Sequence, residues 1–125
     1  MATELYDPVN LRSGDAAADL TGKERYIAFY NTSGKWALAG ANATAQLKGV
    51  IHEGAAANRG VSVCIRGKVK VIAGGTVASA GLSVTTDASG KVVTATTGQN
   101  AIGTSYSAAS SNVIFEIELN PHVAL

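Results

Sequence analysis

The chain has 125 residues, 46% of them hydrophobic but only 6% aromatic, with 14 glycines and a formal net charge of +1. That length suits one domain, large enough to bury roughly two-thirds of its unfolded surface, and the near-neutral balance excludes a dedicated nucleic-acid binder. Small Val and Ala side chains gain little each from burial, at about 25 cal/mol per Å² of apolar area. Such a domain has a narrow stability margin and is expected to gain from covering further surface against a partner.

The charge is unevenly spread. Residues 1–22 carry Glu4, Asp7, Asp15 and Asp19 against Arg12 alone, residues 23–93 carry nine bases against Glu24, Glu53 and Asp87, and the remainder carries only Glu116 and Glu118. Opposed patches of this kind suit contacts between protein subunits. Cys64 is the single cysteine, so an intrachain disulfide is excluded, and its place in an extended run suits a small packing residue. The N-terminus has neither a basic n-region nor an apolar h-region, so synthesis in a cytoplasm is expected. No apolar run approaches the ~20 residues of a membrane-spanning helix.

Taken in order, residues 1–22 read as an extended arm. Pro8, Gly14 and Gly22 interrupt them, and Leu5, Val9, Leu11 and Leu20 keep no period. Residues 23–125 read as a β-rich domain. Its first strand is expected over 25–30 (RYIAFY), with Ile27 and Phe29 on one face and Tyr26 and Tyr30 on the other. A turn at 31–35 (NTSGK) leads to a short strand from Trp36, and a further extended stretch covers 46–52 (QLKGVIH) before a loop at 53–60. The clearest signal is 61–71, where Val61, Val63, Ile65, Val69 and Val71 alternate with Ser62, Arg66, Lys68 and Lys70, with Cys64 between the classes. A period of two marks an extended chain with one buried face, and Gly67 divides it. Strands are then expected over 82–86, 91–96, 101–106 and 112–119, after which Asn120-Pro121 is read as ending the run, because proline cannot extend a central strand. Short strands separated by glycine-rich turns define an all-β fold, a small barrel or sandwich of antiparallel strands.

An internal repeat accompanies this pattern. NTSGK at 31–35 aligns with DASGK at 87–91, Gly49 falls near Gly103, and Val61, Val63 and Ile65 align with Val113, Phe115 and Ile117. The two halves, 25–67 and 82–119, would make a pseudo-symmetric barrel. That register matches Cys64 and Arg66 with Glu116 and Glu118, giving corresponding strands opposite charge.

Catalytic groups do not converge in the sequence. His52 and His122 are lone, His52-Glu53 lacks the second histidine of a zincin helix, and the Gly-Lys pairs are not followed by Ser or Thr as a phosphate loop requires. GTSYS lacks the closing glycine of a nucleophile elbow. Lys91 sits on a turn, as the modified lysine of lipoyl and biotinyl carriers does, but Gly90 and Val92 are not those carriers' neighbours. The expectation is a non-enzymatic protein without cofactor or metal. Arg66, Lys68 and Lys70 form a basic stripe without interleaved aromatics, which favours contact with acidic protein over nucleic acid.

From Gly49 onward the chain resembles the small capsid decoration, or cement, proteins of tailed bacteriophages. The resemblance rests on the order GV, an Ala-rich loop, GVSVCIRGKVKV, then GLSVTTDASGK, then AIGTSYS and the closing alternation VIFEIEL, over residues 49–119. It implies a structural protein on the outer capsid surface of a virion, which self-associates as a homotrimer and clamps neighbouring subunits of the major capsid protein in the expanded lattice. With it comes the expectation that the arm, through Leu5, Tyr6, Val9 and Leu11, and the stripe Arg66, Lys68 and Lys70 supply capsid or subunit contacts, with neither nucleic acid nor membrane as partner. The alternative from another class is a β-barrel adhesion or ligand-binding module, for which Trp36, Tyr26, Tyr30 and Tyr106 are the available aromatics.

Overall fold

The computed structural model describes residues 11–41 and 47–124. Ten β-strands carry the fold: β1 (Leu11–Ala16), β2 (Ile27–Tyr30), β3 (Lys35–Leu38), β4 (Lys48–Glu53), β5 (Gly60–Cys64), β6 (Gly67–Ile72), β7 (Ser83–Thr86), β8 (Val92–Thr94), β9 (Asn100–Ser105) and β10 (Ile114–Val123). No helix occurs among the described residues. The all-β expectation holds. The first five strands close a barrel in the order β1-β3-β2-β4-β5, and the last five form a sheet in the order β6-β10-β9-β7-β8.

The two sheets have the same plan. In the first, β1 closes the barrel by lying parallel to β3 at Ala16–Trp36 and antiparallel to β5. In the second, β6 is antiparallel to β10, and a single parallel bridge at Ala73–Val92 stands where the barrel closure stands in the first. The loop hydrogen bonds repeat as well. Ala16 N–H donates to Arg59 O and Ala73 N–H to Val113 O, both at 2.9 Å; Leu20 N–H donates to Ala55 O and Val77 N–H to Ala109 O, both at 2.8 Å. The hydrogen-bonded halves therefore run 11–64 and 67–123, wider than the sequence repeat suggested. The match also shifts by two residues, so that Cys64 corresponds to Glu118 and Ser62 to Glu116.

The alternation at 61–71 becomes β5 and β6, and the side chains of Val61, Val63, Val69 and Val71 are buried. Leu11–Ala16, expected within an extended arm, is instead a barrel strand. Its five pairings with β5, from Leu11–Cys64 to Asp15–Gly60, supply by backbone hydrogen bonding what its side chains do not announce. Residues 1–10 lie outside the described residues. The second correction concerns Pro121, which lies inside β10. Its pairing with β6 ends at Leu119, and the β9 register shifts between Leu119 and His122, so the missing N–H falls at a bulge.

The core has two parts. Ala16, Leu20, Ala28, Trp36, Ile51, Val61 and Val63 fill the barrel. Ile27, Val50 and Cys64 point out of the barrel and join Val69, Val71, Val84, Ile102, Phe115, Ile117 and Leu119 in one cluster shared by both halves. Ile27 N–H donates to Gly90 O at 2.8 Å and Thr86 Oγ1 to Gly40 O at 2.6 Å across the same junction.

Two glycines sit where the backbones come closest. A Cβ on Gly49 would lie 2.3 Å from the Cys64 carbonyl oxygen, and one on Gly103 would lie 2.0 Å from that of Glu118. Gly49→Ala and Gly103→Ala are each expected to destabilise at the upper end of about 1–3 kcal/mol. Gly60→Ala, where an added Cβ meets nothing within 4 Å, should stay within about 0.5 kcal/mol of wild type. Urea unfolding curves of the three variants check this.

Candidate interaction surface

Because β6 and β10 are antiparallel and in register, their outward residues face one another in pairs. Ile72 stands opposite Ile114, Lys70 opposite Glu116 and Lys68 opposite Glu118. The basic stripe expected from the sequence is thus neutralised across the strands. Lys68 Nζ lies 3.7 Å from Glu116 Oε1 and 4.6 Å from the centre of the Tyr106 ring. At this exposure the ion pair contributes little to stability, about 0–1 kcal/mol, but it fixes where the charges stand. Arg66 is exposed in the short link between β5 and β6, and its carbonyl accepts from Cys64 Sγ at 3.2 Å. Leu11 packs against the core shared by the two halves. Leu5, Tyr6 and Val9 lie outside the described residues.

The face joins two chemistries. Tyr106, Val113 and Ile114 are exposed at 46%, 43% and 49%, while the Lys–Glu ladder beside them is balanced in sign. The first half gives a measure of what the fold itself requires at these places. There Arg59 and Gly60 correspond to Val113 and Ile114, with Asp15 in place of Ile72. Sequence reasoning found the lysines but not Ile72, Ile114 or the two glutamates as their neighbours, because that neighbourhood depends on strand pairing.

His122, beyond the expected end of the last strand, belongs to β10. Its Nδ1 lies 2.7 Å from Asn120 O and its Nε2 lies 2.7 Å from Ser83 Oγ. With Nδ1–H donating to the carbonyl, Nε2 is the acceptor for the serine hydroxyl, and the bond ties the last strand to β7. Gly81, Leu82, Ser83, Thr94, Ala95, His122 and Ala124 line a cavity of about 370 Å³ beside it. No group of three or more His, Cys, Asp or Glu residues placed to hold a metal ion occurs among the described residues, and no helix among them is long and apolar enough to cross a membrane. Of the aromatics, Trp36 is buried and meets Tyr30 edge-on at 5.1 Å, while Tyr26 lies under Lys23 at 4.8 Å. They form no common exposed platform.

No family model matches the chain, and no curated protein matches it. Among solved structures, the fold is similar to the head fiber gp8.5 N base of bacteriophage phi29, with a TM-score of 0.68. The match covers 92% of this chain and 96% of that one, at 16% sequence identity. It shows a shared fold over nearly the whole of both chains.

The Tyr106 hydroxyl donates to Glu118 Oε1, and this bond, with lesser contributions from desolvation and from the charges of Glu118 and Glu116, raises the phenol above its ordinary pKa of 10.0. A raised folded-state pKa means that the associated stability is fully present below the ordinary value and is lost as pH rises through the folded one. The difference in ultraviolet titration between wild type and Tyr106→Phe should place this tyrosine above 10. Glu118→Gln should bring it back down, and an unchanged midpoint would refute the assigned cause.

Proposed function

We propose that this chain is a structural protein of a tailed-phage head, bound to the outer surface of the capsid, where it stabilises the expanded lattice. The observation that carries the reading is the fold shared, over nearly the whole of both chains, with a phage head fiber base. The resemblance of residues 49–119 to cement proteins points the same way from the sequence. A protein that binds the expanded lattice and not its precursor stabilises the former by mass action, and association as a homotrimer would add avidity across neighbouring sites. The reading is non-enzymatic and takes the major capsid protein as partner, with neither nucleic acid nor membrane involved.

In this reading the shell is met by residues 1–10, through Leu5, Tyr6 and Val9, and by the ladder face of β6 and β10. The ladder changes the form of the charge test. Lys68→Glu with Lys70→Glu puts four carboxylates on one face, and each like-charge pair costs about 0.2–1 kcal/mol. Adding Glu116→Lys and Glu118→Lys restores the pairs with their sense inverted. The fourfold variant is expected to recover wild-type stability and lose capsid binding, whereas retained binding would remove the ladder from the contact.

The direct experiment is co-sedimentation of the purified protein with expanded phage capsids and with unexpanded procapsids. Saturable binding to the expanded form alone is expected, weakened at least tenfold by deletion of residues 2–10, which spares β1. Absence of binding to either shell would overturn the proposal.

A further inference from the structure

The cavity beside Ser83 has a counterpart in the first half, and the counterpart is filled. Registers and loop bonds match Ile27 to Ser83, Leu38 to Thr94 and Ala39 to Ala95. Ile27 and Leu38 form the seat that receives residues 87–91 of the second half. Gly90 rests there so closely that a Cβ on it would lie 2.9 Å from Leu38 Cγ, and its carbonyl accepts from Ile27 N–H. The lysine of the same turn comes within 6.0 Å of the Tyr26 ring. In the second half the same seat, now made by Ser83, Thr94 and Ala95, is the open cavity of about 370 Å³.

The turn that fills the first seat has a duplicate of its own. In residues 31–35 and 87–91 alike, the first residue's side-chain Oδ1 accepts from the backbone N–H of the third and fifth residues, at 2.8–3.0 Å. The glycines at the fourth place, Gly34 and Gly90, share positive φ values of 76° and 80°. Each terminal lysine reaches a matching asparagine at 2.7 Å, Lys35 to Asn58 and Lys91 to Asn112. One copy of this turn is docked. The other, with Thr32, Ser33 and Gly34, is exposed.

We infer that the exposed turn of residues 31–35 in one molecule docks into the Ser83–Thr94–Ala95 seat of a second copy, repeating between molecules the contact that the two halves make within one. What enters the seat of Ile27 and Leu38 is Gly90, buried there while Ala88 and Ser89 stay exposed at its rim, and the free turn offers the matching Gly34, with Thr32 and Ser33 at the rim positions beside the polar Ser83 and Thr94. Tyr30, 40% exposed beside the free turn, corresponds to Thr86, whose hydroxyl bonds Gly40 O across the intramolecular junction. The same geometry brings Tyr30 to the neighbour's Thr96. Seat and turn lie on different halves, so the contact is head-to-tail, which generates a ring where the rotation closes and a filament where it does not.

The test is disulfide capture between two exposed positions. Ser33→Cys and Thr94→Cys proteins are mixed under mild oxidation and compared with a mixture of Thr94→Cys and Ser111→Cys, Cys64 being buried throughout. Circular dichroism confirms that each variant is folded. A heterodimer formed by the first mixture at several times the yield of the second is expected, and Tyr30→Ala in the Ser33→Cys partner should reduce it. Equal yields in the two mixtures overturn the inference, even where sedimentation shows that the chain associates by another face. Equal yields together with protection of the Thr94→Cys thiol from alkylation on expanded capsids would assign the seat to the shell protein instead. The contact is independent of capsid binding, so failure here leaves the co-sedimentation result standing.

Discussion

The burial of the barrel's outer face against the second half is the contact on which the rest depends. Ile27, Val50 and Cys64 point away from the barrel interior, and without the second half they would present an apolar surface to water. The corresponding positions in the second half are Ser83, Thr104 and Glu118, with Lys68 in place of Leu11. One plan is thus used twice with opposite surface chemistry, apolar where the halves meet and polar where they end. The result is one apolar cluster shared by the two halves, distinct from the filling of the barrel, while the hydrogen-bonded sheets remain separate.

Within each half the same local solutions recur under different side chains. Asn31 and Asp87 organise their turns through the same side-chain oxygen. Asn58 and Asn112 occupy the left-handed region at φ 65° and 66°, a conformation that asparagine tolerates better than most residues. Arg25 at φ 73° corresponds to Gly81 at φ 81°. The second half places there the residue that the backbone prefers, while the first half holds arginine there by tertiary contacts, with Arg25 N–H donating to Ile51 O and its carbonyl accepting from Ile72 N–H. The junction thus helps to hold an unfavourable backbone state.

The sequence announced the strands that alternate and hid the one that does not. Val61 to Val71 could be read directly because burial on one face imposes a period of two. LRSGDA has no such period, since only Leu11 packs on the shared core and only Ala16 is buried, and β1 holds its place by backbone pairing. Pro121 misled for a related reason, because whether a proline is tolerated depends on which neighbour its missing donor would have faced. The repeat was visible in its turns, but the register of its last strand slipped by two residues, a shift that preserves the alternation and leaves no trace in hydrophobicity. On the interaction face, Lys68 and Lys70 stood out as a stripe. Their partners Glu116 and Glu118, more than forty positions later, became neighbours only through the pairing of β6 with β10.

The closure of the barrel also dictates an order in time. β1 is the first described strand to emerge during synthesis, yet its antiparallel partner β5 ends at Cys64, and the chain between must already be in place before the two can meet. The second half repeats the delay, with β6 waiting for β10. Pairings between such distant segments are slow to form, since the entropy of closing the loop is lost before the contacts return it. Until β10 pairs, the cluster that covers the barrel's outward face lacks Phe115, Ile117 and Leu119. The apolar cluster shared by the two halves is therefore complete only once the last strand, ten residues long, has paired.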